Sequence, residues 1–175
     1  MGSWGVKAFQ SDSGLDAVAF IRDNLPEDGR LELGKIMEAL RKDKWNAPPD
    51  VQDGVAHSSF VMLAEIIAKA ADGELASLDL DNKAEKLFGN VTSFSAAEKN
   101  LQELRDYLSG TLKYAREIDE SGLDKWSGWF KEKDWIAWQE HMEGLVERMD
   151  VFLASSQGSG IDLLSQGKGP AMEMA

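Results

Sequence analysis

The 175 residues carry 31 acidic and 19 basic side chains, a net charge of -12, and no cysteine. The missing thiols exclude a disulfide framework, a thiolate metal site and a cysteine nucleophile. The acidity repels phosphate backbones and anionic headgroups, so neither nucleic acid nor membrane is an expected partner. A chain of this length fits one domain burying roughly two-thirds of the surface it exposes when unfolded. No apolar run approaches the ~18 residues of a membrane span, and Asp12 and Asp16 come too early for a secretory leader. The expected location is the cytoplasm.

In chain order, Ser13-Gly14-Leu15-Asp16 has the form of a capping box. It predicts a helix over 14–24 that buries Leu15, Val18, Ala19 and Ile21 and closes at Leu25-Pro26. A second helix over 31–45 places Leu33, Ile36, Met37 and Leu40 at spacings of three and four, before Pro48-Pro49 breaks the chain. From Val51 to Ala71 the polar side narrows to Ser59, Glu65 and Lys69, the pattern of a central helix, which Asp72-Gly73 ends. Residues 74–94 read as a loop with one short helix near 83–88. A second capping box, Ser95 to Glu98, opens a helix with a stripe at Leu101, Leu104, Leu108, Leu112, Ala115 and Ile118. After an amphipathic turn around Trp126, Trp129 and Phe130, a last helix over 134–153 carries Trp135, Trp138, Met142, Leu145, Met149 and Phe152. That seam resembles a coiled coil and is expected to pack within one bundle. The fold class is all-α: a single-domain bundle of about five main helices over 1–154, with an anchored N-terminal segment. Residues 155–175 form a Gly/Ser-rich tail, read as flexible, whose one apolar group, "IDLL", could dock on the body.

The chemical inventory is thin. Neither His57 nor His141 has a carboxylate or histidine at i+4, so both read as surface or boundary residues. "DLDN" at Asp79–Asn82 starts like a calcium loop, but Lys83 and Ala84 fill positions that need an oxygen ligand and a glycine. No catalytic residue, metal or cofactor is assigned. Two features remain. Trp126 and Trp129 head an aromatic group that either fills a helix junction or stacks on a ligand. The stretch 50–81 holds Asp50, Asp53, Glu65, Asp72, Glu74, Asp79 and Asp81 against Lys69 alone, half of the net charge. Asp50, Asp53, Asp72, Glu74, Asp79 and Asp81 are therefore the candidate face for a basic protein partner, with a solvated loop as the other reading.

The opening "MGSWGVKAFQSDSGLD" resembles a bacterial family named domain of unknown function 4259, whose members begin Met-Gly-x-Trp-Gly and run through a Phe and an Asp to Leu-Asp. Met1, Gly2, Trp4, Gly5, Phe9, Asp12, Leu15 and Asp16 carry the match, with weaker likeness in "LAEIIAKAADG" and "DWIAWQEHMEGLVERM". The resemblance implies relatedness and no activity. Physically, Trp4 and Phe9 supply the apolar area to clasp the chain end into an interhelical groove. Asp12 and Asp16 complement the first helix's dipole. A clasp predicts that Trp4→Ala lowers Tm by several degrees; unchanged melting with loss of binding would make these residues a ligand site instead. The leading expectation is a non-enzymatic acidic interaction protein, such as an immunity protein or inhibitor of a basic toxin or nuclease. The alternative is a small ligand-binding protein or metal-independent enzyme using a Trp/carboxylate groove.

Overall fold

The computed structural model describes residues 12–53, 58–79, 87–121, 132–156 and 160–165. Trp4, Phe9, His57, Asp81, Trp126 and Trp129 lie outside them, as does the Asp12 side chain. The domain is predominantly helical, with five α-helices and a small three-stranded sheet among the described residues.

Helix α1 spans Asp12–Asp23. Ser13 therefore sits inside the helix and not at its cap, and the buried stripe runs through Gly14, Ala17, Val18 and Ile21. This stripe faces α3, Ser59–Ala71, and leaves the expected core residues Leu15 and Ala19 exposed. The predicted start of the second helix is also corrected. Residues Arg30–Glu32 form strand β1, and α2 spans Leu33–Lys42. Gly29 forces the change: at φ 74 it turns the chain, and its carbonyl accepts from Thr92 N at 2.8 Å. A Cβ there would stand 2.7 Å from the Asn90 carbonyl oxygen, so glycine alone fits.

The central helix α3 starts at the Ser58 cap, whose Oγ accepts from Val61 N at 3.3 Å. It ends in a Schellman turn: Glu74 N donates to Lys69 O at 2.8 Å and Gly73 N to Ala70 O at 3.2 Å, with Gly73 at φ 75. The helix is buried nearly all round, and Ser59 and Glu65, expected on its polar side, are buried too. Strand β2, Ser93–Ala96, was hidden in the second capping box. Ser95 is a strand residue whose Oγ donates to Leu31 O at 3.3 Å, and α4 begins at Glu98.

Strand β1 runs parallel to β2 with Leu31 opposite Phe94. Strand β3, Ile161–Asp162, runs antiparallel on the far side of β2. The "IDLL" group thus docks. Asp162 Oδ1 accepts from Phe94 N at 3.1 Å, and Leu163 is fully buried. Helices α4, Glu98–Ser121, and α5, Glu132–Ser156, form the largest helix pair. Their predicted stripes from Leu101 to Ala115 and from Trp138 to Phe152 are buried, while the Ile118 side chain lies outside the description. Arg105–Asp150 at 3.0 Å and Arg116–Glu143 at 2.9 Å, exposed ion pairs, mark their antiparallel register. Among the described residues no helix is long and apolar enough to cross a membrane.

Candidate functional site

Helix α2 stops at Lys42 because the Asp43 carboxylate takes over the backbone. Its Oδ2 accepts from Trp45 N at 3.0 Å and from Asn46 N at 2.8 Å, an Asx-type turn. The predicted helix through Trp45 is therefore cut short, and the indole is left 86% exposed in the turn. Pro48 and Pro49 then hold the chain extended, and Asp50 Oδ1 accepts from Gln52 N at 2.9 Å to start the 3₁₀ turn Val51–Asp53.

This segment lies along α4. Gly110 makes the approach close, since a Cβ there would meet Val51 at 3.4 Å, and Tyr107 Oη donates to Pro49 O at 2.7 Å. The Tyr107 ring packs edge-on against Phe60 of α3, with centroids 5.1 Å apart. Between the proline segment and α4 runs an open groove of about 560 Å³, lined by Pro48, Pro49, Val51 and Tyr107 and edged by Asp50, Glu103 and Asp106. Arg41 closes one end, its guanidinium 5.4 Å from the Phe60 ring centroid and paired with Glu103. Asp106 accepts from Gln102 Nε2 at 2.9 Å and lies 3.5 Å from Arg105. Asp50 and Asp53 are exposed and have no cationic partner among the described residues. The result is an apolar trough with an acidic rim, and an exposed tryptophan lies three residues before Pro48 in its wall.

Burial pushes the Tyr107 hydroxyl above the usual tyrosine range, and the charges of Asp50 and Asp53 add to the rise. A raised folded-state value means the unfolded chain loses this proton first. The stabilising contribution is thus complete below the ordinary tyrosine range and is lost as pH climbs from there through the raised folded-state value. Phenolate absorbance should show Tyr107 titrating above the ordinary tyrosine range. Tyr107→Phe should remove that alkaline limb while costing about 1 kcal/mol at neutral pH for the bond to Pro49.

The other predicted acids lie elsewhere. Asp72 and Glu74 are at the far end of α3, about 20 Å along the helix axis, where Asp72 Oδ1 accepts from Arg148 at 2.9 Å. Asp79 points inward, its side chain 8% exposed. Its oxygens accept from Phe88 N at 2.8 Å and Gly89 N at 2.7 Å, tying Asp79 to the 3₁₀ turn Phe88–Asn90. Asp16 is exposed on α1. The stretch 50–81 is thus not one face: Asp50 lines the groove, Asp53 ends the 3₁₀ turn next to it, and the structure adds Glu103, Asp106 and Tyr107 to the lining. Exposure of Trp45 had one local signal, Asp43 followed by Asn46 and two prolines.

His141, read from the sequence as a surface or boundary residue, is partly buried and has a partner on another helix. Its Nε2 shares a hydrogen bond of 2.9 Å with Glu65 Oε2, the two side chains 19% and 4% exposed. With the nearby pair Arg148–Asp72 it forms a polar strut between α3 and α5. Among the described residues no three metal-ligating side chains converge. No curated protein and no solved structure matches the chain. The family model described as "Domain of unknown function (DUF4259)" matches residues 2–141, and the chain belongs to that family.

Proposed function

We propose that this protein is an acidic, non-enzymatic interaction protein of the bacterial cytoplasm that binds a basic protein partner through the groove between Pro48-Pro49 and α4. In its concrete form it is an immunity protein or inhibitor that occludes a basic toxin or nuclease. The observation that carries the reading is the pairing of an apolar trough with a carboxylate in its lining, Asp50, and another on the adjoining turn, Asp53, neither with a cationic partner among the described residues, on a chain of net charge -12. Opposite charge steers such a partner in, while Trp45, Tyr107 and the prolines supply the apolar contact that holds it.

Co-purification from the native host at low salt tests the proposal. The expected result is a stable basic partner that salt releases and that the double variant Asp50→Asn/Asp53→Asn fails to retain. Recovery of no partner, or of one indifferent to both salt and the variant, would contradict it.

A further inference from the structure

The groove's own wall illustrates the side chain it suits. Arg41 lies with its guanidinium over the Phe60 ring and its charge on Glu103, a flat apolar surface joined to a carboxylate. The same two parts recur beside it: the Tyr107 ring and Pro49 form a wall, and the Asp50 and Asp106 carboxylates stand at the edge. Asp50 has no cation of its own among the described residues. Asp50 also stays anchored through its bond to Gln52 N, and Tyr107 through its bond to Pro49 O. A ligand group therefore meets a wall already in place, without ordering it first.

We infer that this second position receives an arginine side chain from an extended segment of the basic partner. Its guanidinium packs on Tyr107 and Pro49 and pairs with Asp50 and Asp106. The inference rests on the proposed function and names what that site recognises. Arginine suits it better than lysine on physical grounds. The guanidinium is planar and weakly hydrated, stacks on rings, and offers a fork of donors to a carboxylate; an ammonium keeps its water and makes point contacts. The groove is open along its length, so the segment carrying the arginine can lie extended against Pro48-Pro49, with Trp45 at its upstream end.

The test uses the full chain and three short peptides identical except for a central arginine, lysine or citrulline. Each is titrated at low salt with calorimetry and amide chemical shifts. The expected result is that the arginine peptide binds about threefold or more tightly than the lysine peptide, and that citrulline abolishes binding. Shifts should centre on Val51, Tyr107 and the Trp45 indole. Asp50→Asn, which keeps the acceptor for Gln52 N, and Asp106→Asn should each weaken the arginine peptide several-fold without changing Tm, and Glu74→Gln should leave it unchanged. Equal binding of arginine and lysine overturns this inference while the basic-partner reading stands. Shifts centred away from the groove overturn the site assignment. Failure of both cationic peptides to bind overturns both.

Discussion

Replacing Trp138 by alanine is expected to cost about 3–5 kcal/mol, in the range of large aromatic truncations that leave a cavity. The indole is fully buried on α5 and stacks on Trp135, with centroids 5.7 Å apart and planes 14° from parallel. It heads the seam that continues through Met142, Leu145, Met149 and Phe152 against the leucine stripe of α4. At this chain length the loss corresponds to a fall in Tm of roughly 10 °C. Urea unfolding measures it directly; a cost under about 1 kcal/mol would mean that the seam is not the core of the α4–α5 pair.

The second large effect concerns Glu65. Removing one member of a buried pair strands the other, and such changes cost about 3–5 kcal/mol when both groups are enclosed. His141 retains some contact with solvent, so Glu65→Ala is expected to fall near the lower end of that range. The double change Glu65→Met/His141→Leu, which removes both polar groups and restores apolar volume, should recover most of the loss. A double-mutant cycle by denaturant unfolding reads the coupling. Additive single effects would show that the 2.9 Å contact holds nothing between α3 and α5.

These two residues also show where sequence reading succeeds and fails. The stripes of α4 and α5 were legible because core-facing positions recur every three or four residues over many turns, and Trp138 follows directly from that rhythm. Glu65 was not, because an acid on a helix reads as a solvent-facing position until a neighbour from another element appears. The partner of His141 escaped for the same reason: the i+4 test looks along one helix, and Glu65 stands 76 residues away on another. Strand β2 was masked by competition between two local patterns, since Ser95 to Glu98 fits a capping box as well as it fits a strand end. Only pairing with Leu31 and Ile161 decides between them. The docking of "IDLL" depends on the same sheet.

The candidate site was half legible. Asp50 in its lining and Asp53 next to it stood out as charge, but the charge pattern grouped them with Asp72, Glu74 and Asp79, which the folded chain sends to the end of α3 and to the Phe88 and Gly89 amides. The groove itself joins two segments more than fifty residues apart, and no local pattern encodes that meeting. Trp45 was counted as a helix end, and its exposure follows from the turn that Asp43 builds. Six tryptophans in the chain drew attention to the group around Trp126 and Trp129, whereas the exposed indole that the structure describes is Trp45, three residues before Pro48 in the trough's wall.

The central claim is that a basic partner is held at this groove. Hydrogen–deuterium exchange of the protein, alone and in complex with the partner recovered from the host, tests it most directly. Slowed exchange is expected in the Trp45–Asp53 segment and in α4 around Glu103–Tyr107, and nowhere else. Protection centred on the Asp72–Glu74 end of α3, or on the outer face of α5 with the groove unchanged, would contradict it.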